Sequence, residues 1–275
     1  MAYHTTLVHL DNEPACAVRT GIALRLAREH GSHLIGLAPT GQVQIPVDVA
    51  STLFEPGYAI ASGHYLRTRA DKACEEFDAR ARAAGLSSFE TRVDEADHAE
   101  SVIAHARGAD LVIVGQTDRD APLGVVNRDL PERVALGGGR PVLIVPYAGR
   151  FETLGSTVLA AWNNSREAAR ALADALPILQ RANRVIVLTQ RGAQEPEPSL
   201  AALQSWLARH SVQCEAAHEV SNIDFGDLLL SRAADLGADL IVMGSYGRAR
   251  LTERVLGGAT RSLLEQMTVP VLMAH

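Results

Sequence analysis

The sequence predicts an α/β fold built from two tandem open-sheet domains, each five-stranded, parallel and doubly wound. Two observations lead to this prediction. Short apolar segments alternate along the chain with longer amphipathic segments, which is the pattern of βαβ units with helices on both faces of a parallel sheet. In addition, the second half of the chain repeats the first half at a constant spacing.

The repeat is clearest in two pairs of apolar segments. Residues 109–115 read ADLVIVG, and residues 238–244 read ADLIVMG, 129 positions later. The segments PVLIV and PVLMA begin at Pro141 and Pro270 and are also 129 positions apart. A constant offset over this distance predicts the duplication of a whole domain.

The earlier elements of each half follow the same order of strand, polar turn, helix and strand. The predicted elements are strands 5–10 and 33–38 with helix 17–30 in the first half, and strands 156–161 and 184–189 with helix 166–180 in the second. Ser165 is the predicted N-cap of its helix, with Glu167 in the favourable first turn. We therefore expect domains at residues 1–148 and 155–275, joined by a short linker.

Composition excludes several classes of partner and compartment. The net charge is −6 at pH 7, and neither half carries the basic surface of a nucleic-acid-binding protein. No apolar run approaches the length of a membrane-spanning helix, and the first residues show no secretion signal. The cysteines Cys16, Cys74 and Cys214 are far apart and form no redox or metal pair. A cytoplasmic location is expected.

A glycine-rich segment follows the apolar run of residues 239–243. Gly244 and Gly247 come first, and Gly257 and Gly258 follow after nine intervening residues, with Thr260 just beyond. Glycines permit close approach of backbone N–H groups to an anion, and the N-terminus of the helix predicted at residues 259–267 adds unpaired donors. The pattern predicts a phosphate site; turns on the surface remain the alternative.

Together with VPVL at residues 269–272, this glycine pattern resembles that of the universal stress protein family, and the duplication resembles its tandem form. Many members of that family bind ATP, with phosphates on the glycines, a polar side chain after the first strand at the nucleotide, and backbone after the second strand at the adenine. The resemblance implies these site residues: Ala161, Asn163, Thr189, Met243, Gly244, Gly247, Arg248, Gly257, Gly258 and Thr260.

Two of these positions depart from the family pattern. Asn163 stands where the family usually has Asp, which keeps hydrogen bonding but removes the charge that would support Mg²⁺ beside ATP. Gly258 stands where Ser is common, which removes one hydroxyl donor.

The first half departs further. The 129-residue offset places Asp118 at the position of Gly247, Arg128 and Asp129 at the glycine pair, and Pro131 at the position of Thr260. Carboxylates repel phosphate and proline lacks an N–H donor, so Asp11 alone cannot make a nucleotide site. We expect one nucleotide per chain, in the second half.

The resemblance implies a stress-response protein that senses or buffers ATP or a related adenine nucleotide and acts through protein partners. Catalytic residues and a resident metal are not expected, because no general base or metal-ligand spacing is evident. A slow ATPase and a structural module that binds nothing are the alternatives. The final strands of the two halves, at residues 142–146 and 271–274, are expected to pair as an intrachain pseudo-dimer, and homodimerisation remains open.

Overall fold

The computed structural model describes residues 2–41, 56–117, 129–193, 199–245 and 258–275. These ranges contain ten strands and eight helices that alternate for most of the chain. The strands are β1 Thr5–His9, β2 His33–Pro39, β3 Phe89–Asp94, β4 Leu111–Gly115, β5 Val142–Val145, β6 Thr157–Ala161, β7 Arg184–Arg191, β8 Glu215–Val220, β9 Leu240–Gly244 and β10 Val271–Ala274. The helices are α1 Cys16–His30, α2 Pro56–Ala83, α3 His98–Ala106, α4 Leu130–Gly137, α5 Arg166–Leu179, α6 Ala201–Arg209, α7 Phe225–Leu236 and α8 Gly258–Gln266.

All ten strands belong to one sheet, in the order β3-β2-β1-β4-β5-β10-β9-β6-β7-β8. We call β1–β5 with their helices the first half and β6–β10 with theirs the second half. Strands are parallel within each half, whereas β5 and β10 pair antiparallel at the centre. The predicted fold class and the pairing of the two final strands are therefore confirmed.

Helices cover both faces of the sheet. The buried apolar side chains of α1, α2, α5 and α6 form one core cluster with the strands, and those of α3, α4, α7 and α8 form a second cluster on the opposite face. Each cluster contains residues from both halves, so the core continues across the β5–β10 junction. The nearly continuous apolar strand sequences follow from burial on both faces.

The repeated Ala-Asp-Leu segments have a structural role. The carboxylate of Asp110 accepts a hydrogen bond from the backbone N–H of Thr5 at 3.0 Å, and that of Asp239 accepts one from Thr157 at 3.0 Å. In each half, this aspartate precedes the fourth strand of its half and holds the beginning of the first strand, its neighbour in the sheet. The duplicated aspartates therefore fix the central strand pair of each half.

The ends of three helices also follow their sequence signals. The hydroxyl of Ser165 accepts a hydrogen bond from the N–H of Ala168 at 3.1 Å, so Ser165 is the N-cap of α5 as predicted. Gly31 and Gly237 end α1 and α7 with φ angles of 67° and 61°, a left-handed conformation that glycine adopts without steric cost.

The segment between β5 and β6 packs against the core. Phe151 and Leu154 contact the apolar cluster on the α1 face, and the guanidinium of Arg25 donates to the carbonyl of Phe151 at 3.0 Å. Tyr3 of the first half donates its hydroxyl to the carbonyl of Asp174 of the second half at 2.8 Å. The domain boundaries at residues 148 and 155 stay a prediction, but the connection between the halves is a packed one.

The antiparallel junction places the functional edges of the two halves on opposite sides of the sheet. Because β5 runs against β10, the carboxyl ends of β1–β5 lie at one edge and those of β6–β10 at the other. Helix α8 leads into β10, so it spans the distance between these two edges. Within the described residues, no helix has the length and apolarity needed to cross a membrane.

Candidate functional site

Each half has a crevice where the strand order reverses. In the first half, α1 and α3 lie on opposite faces of the sheet, which opens a crevice between the carboxyl ends of β1 and β4. In the second half, α5 and α7 open the equivalent crevice between β6 and β9. Such switch points are the usual ligand sites of open α/β sheets. We call them the first-half crevice and the second-half crevice.

The second-half crevice brings together several of the predicted site residues. Ala161 ends β6, Met243 and Gly244 end β9, and Thr189 lies near the end of β7. Ala161, Met243 and Thr189 are buried. Thr189 shares a 2.7 Å hydrogen bond with the Nδ1 atom of His218, which ties β7 to β8. The backbone ends of the three strands therefore meet at one edge, as the sequence pattern predicts.

Gly244 has a packing role that the sequence did not reveal. A Cβ atom at this position would lie 2.5 Å from the backbone nitrogen of Ala168 and 2.5 Å from the carbonyl carbon of Glu167. Both atoms belong to the first turn of α5, which lies directly against the end of β9. A side chain at Gly244 would therefore push the helix away from the strand, so glycine is required here even without a ligand.

Asn163 is exposed and shapes the turn between β6 and α5. Its side-chain oxygen accepts a hydrogen bond from the N–H of Ser165 at 3.1 Å. Asp11 makes the same turn in the first half, where its carboxylate accepts from the N–H of Glu13 at 3.0 Å. The two residues occupy equivalent places, and the amide of Asn163 forms the turn without bringing a negative charge to the crevice.

Helix α8 begins at Gly258, where the sequence pattern places the end of the phosphate site. The first N–H groups of a helix have no partner within it, and they carry the positive end of the helix dipole. Thr260 is buried in the first turn, and Ser262 donates to the carboxylate of Asp227 on α7 at 2.6 Å. The structure therefore orients the N-terminus of α8 toward the carboxyl edge of the second half.

Three predicted site residues lie outside the described part of the chain: Gly247, Arg248 and Gly257. Their participation stays a prediction. Asp118 and Arg128 of the first half also lie outside it. Asp129 is exposed just before α4, and Pro131 is buried in the first turn of that helix, where a missing N–H donor is tolerated.

Arg19 fills the first-half crevice, which the sequence reading did not anticipate. Its side chain is 2% exposed, and its Nε atom donates to the carbonyl of His9 at 2.8 Å while a terminal nitrogen donates to the carboxylate of Asp11 at 2.8 Å. A Cβ atom at Gly115 would collide with this guanidinium. Sequence alone offered one signal: an arginine among the apolar residues that α1 buries.

The Asp11–Arg19 pair is fully charged in the folded protein. Burial is the largest single influence and would raise the pKa of Asp11, but the charge of Arg19 and the hydrogen bonds from Arg19 and the N–H of Glu13, with the other contributions, together lower it. Burial would likewise lower the pKa of Arg19, and the charge of Asp11, with its hydrogen bond and the contributions of Cys16, together raise it. Each partner therefore compensates the burial of the other.

Two buried histidines lie beside this ion pair. The Nε2 atom of His9 is 3.0 Å from the Nδ1 atom of His98, and both residues are buried. Burial lowers the pKa of His9 to about 3 and also lowers that of His98. The pair is neutral at physiological pH and adds no charge to the Asp11–Arg19 ion pair.

A small open pocket remains where β1 and β2 end. Apolar residues of α2 line it together with the charged Arg69 of the same helix and with Asp11, Thr40 and His98. The first half therefore has a shallow opening on the β2 side, whereas the protein's own guanidinium occupies the β4 side. Within the described residues, no group of three or more His, Cys, Asp or Glu side chains is arranged to hold a metal ion.

Comparisons with known proteins agree with this architecture. The model of the universal stress protein family matches residues 156–275. A universal stress protein from Archaeoglobus fulgidus DSM 4304 is similar to the whole chain, with a TM-score of 0.77 and 16% identity over 98% of this chain and 97% of the other.

A functionally unknown protein from Pseudomonas aeruginosa PAO1 has a TM-score of 0.64 and 18% identity over 99% of this chain and 92% of its own. At these identities, the structural matches establish the fold alone. No curated protein matches the chain in sequence. Residues 156–275 therefore form a domain of the universal stress protein family, and the chain as a whole has the tandem two-domain fold of such proteins.

Proposed function

We propose that the second half binds an adenine nucleotide, ATP or a close relative, at the second-half crevice. The proposal is supported by the family of residues 156–275 and by the arrangement of the elements around the crevice. Strand β9 ends at Gly244, and α8 begins at Gly258, so both ends of the glycine-rich segment belong to elements that meet the carboxyl edge.

The observation that carries the proposal is the difference in charge between the two crevices. In the first half, the guanidinium of Arg19 lies against Gly115 and is neutralised by Asp11. In the described part of the second half, the buried polar side chains are Glu167, Thr189, Ser245 and Thr260; none of them is a cation, and the carboxylate of Glu167 is paired with Arg166. We therefore assign anion binding in the second-half crevice to the first N–H groups of α8, which have no partner within the helix.

The expected contacts follow from the chemistry of the groups present. Phosphate oxygens accept from the N–H groups at the start of α8 and from the glycine-rich backbone, and Arg248 adds positive charge. Asn163 has an exposed amide that can hydrogen-bond a ribose hydroxyl. The carboxylate of Glu167 is paired with the guanidinium of Arg166, so its charge is compensated near the phosphate end.

Binding rather than turnover is proposed for this site. Asn163 has no carboxylate to attract Mg²⁺ or to accept a proton from water, so it cannot serve as a general base. A protein that binds nucleotide reversibly without consuming it can report nucleotide levels to a partner. We therefore propose a cytosolic regulatory role in stress responses, exerted through protein partners.

Equilibrium dialysis of the purified chain against ATP, ADP and AMP tests the proposal. We expect one nucleotide per chain, and Gly247→Asp, which copies Asp118 of the first half, should abolish binding while leaving the thermal unfolding temperature of the apoprotein unchanged. The matched control is Asp118→Gly, which should neither impair this site nor create a second one. An absence of binding by the wild type at millimolar ATP would refute the proposal.

A turnover assay with Mg²⁺ separates binding from catalysis. Release of phosphate that depends on Gly247 would favour the alternative of a slow ATPase. Normal ATP binding by Gly247→Asp would place the phosphate site elsewhere in the chain.

A further inference from the structure

Gln116 connects the two crevices through helix α8. This residue directly follows Gly115 at the end of β4, at the first-half crevice, and it is buried. Its side-chain nitrogen donates to the carbonyl of Leu264 at 2.8 Å and lies 3.4 Å from the carbonyl of Glu265. Both carbonyls belong to the last turn of α8, in the second half.

The orientation of the Gln116 amide is set by a third contact. The side-chain oxygen accepts a hydrogen bond from the backbone N–H of Tyr147 at 3.2 Å. Because a backbone N–H can only donate, the oxygen must face Tyr147 and the amide nitrogen must face α8. Gln116 is therefore held between the end of β5 and the end of α8.

The C-terminus of α8 depends on donors from outside the helix. The last carbonyl groups of a helix have no partner within it, and basic side chains in the last turn often satisfy them. The last turn of α8 contains no basic residue. Gln116 provides the missing donor from the other half of the molecule.

Among the residues that the structure describes, the equivalent position makes no such contact in the opposite direction. Ser245 stands 129 positions after Gln116, at the end of β9. Its hydroxyl donates to the carbonyl of Ala274 at 3.1 Å, in the neighbouring strand of its own half. The duplicated position therefore reaches across the junction in the first half and stays within its half in the second.

We infer that Gln116 is a positioning residue for the proposed nucleotide site of the second half. Helix α8 has nine residues and is about 13 Å long, so fixing its C-terminus also fixes the direction of its N-terminus. The N-terminus carries the N–H groups assigned to the phosphates. The inference rests on the proposed function, and it gives the first half a role: it holds the phosphate-binding helix of the second half.

The test measures ATP affinity of Gln116→Met, which keeps the length of the side chain and removes its donors. We expect about three- to tenfold weaker binding at 25 °C, the range that corresponds to the loss of one hydrogen bond, and faster amide hydrogen exchange in α8. Gln116→Glu should bind more weakly still, because a carboxylate cannot donate to Leu264 and faces the negative end of the helix dipole.

The matched control is Gln180→Met, which removes an exposed glutamine amide that donates to the carbonyl of His210 at 3.0 Å within the second half. It should leave ATP affinity unchanged. A purely structural role for Gln116 would lower the unfolding temperature without changing affinity, and that result would overturn the inference while the proposed function stands. If the wild type binds no nucleotide, both are overturned.

Discussion

The two crevices of this protein have the same arrangement of strands and differ in the side chains that occupy them. Both lie between the first and fourth strands of their half, and both begin with the same side-chain turn, made by Asp11 in one and Asn163 in the other. In the first half, Asp11 is paired with the buried guanidinium of Arg19. In the second half, Asn163 is neutral and exposed.

This difference shows how one fold can use the same position for stability or for binding. A buried carboxylate must be paired, and Arg19 supplies the partner from within the chain. The pair takes the space beside Gly115, whereas the first turn of α5 takes the space beside Gly244. A neutral residue such as Asn163 imposes no such requirement, and the carboxylate of Glu167 beside Gly244 is paired with the exposed Arg166 instead.

The largest expected effect comes from breaking the ion pair. Arg19→Met should lower the free energy of unfolding by about 3–5 kcal/mol, because it leaves the charge of Asp11 buried without its partner. Urea denaturation monitored by circular dichroism measures the loss. Arg82→Met is the control: its side chain is 72% exposed and its partner Asp78 is 40% exposed, so almost no change is expected. A loss below about 1 kcal/mol for Arg19→Met would mean that the pair does not stabilise the first half.

An intermediate effect is expected from acid. Unfolded histidine has a pKa near 6.5, whereas His9 in the folded protein stays neutral down to about 3, so the unfolded state binds more protons between these values. The contribution of His9 to the free energy of unfolding is therefore complete above pH 6.5. Below that pH it falls by about 1.4 kcal/mol per pH unit, so the loss is about 2 kcal/mol at pH 5.

Urea titrations at pH 7.5, 6 and 5 measure this slope. His98 adds to the slope in the same direction because burial also lowers its pKa, and the lowered pKa of Asp11 extends the loss below pH 4. His9→Gln should flatten the slope, with the exposed His4→Gln as control. An unchanged slope in His9→Gln would show that the buried pair does not govern acid stability.

The smallest expected effect on stability comes from Asn163→Asp. The new carboxylate can accept the same N–H of Ser165 and lies near the N-terminus of α5, so the free energy of unfolding should change by less than about 0.5 kcal/mol. ATP binding should become dependent on Mg²⁺, which dialysis with and without EDTA measures. The mirror variant Asp11→Asn should be clearly destabilising, because it leaves Arg19 buried and unpaired. Equal stability changes in the two variants would contradict the comparison.

Local sequence patterns predict the order of strands and helices and the duplication of the domain. The alternation of apolar strands and amphipathic helices, the 129-residue repeat and the capping residue Ser165 were all readable, because each depends on neighbouring residues or on spacing. The pairing of the two final strands also followed, through the family resemblance and the duplicated PVL segments. The loop that contains Gly247, Arg248 and Gly257 lies outside the described residues, so that part of the predicted site is untested.

Contacts between distant residues were not readable in the same way. Sequence reasoning assigned the loss of the first site to Asp118, Asp129 and Pro131, whereas the structure adds Arg19, whose role depends on how α1 packs against β4. The glycine pattern predicts Gly244 as a phosphate contact, whereas the structure shows that it also lies directly against α5.

The strand and helix order, the duplication and the residues that distinguish the two halves follow from local patterns, because hydrophobic periodicity and turn chemistry act over short distances. Where the charges and donors of those residues are used depends on the folded chain. Arg19 is neutralised inside one crevice, and Gln116 donates to the carbonyl of Leu264 in α8, 148 positions later in the sequence. Which residues become partners depends on how the helices pack on the sheet and on the need to satisfy every buried polar group. Local sequence patterns do not predict such contacts.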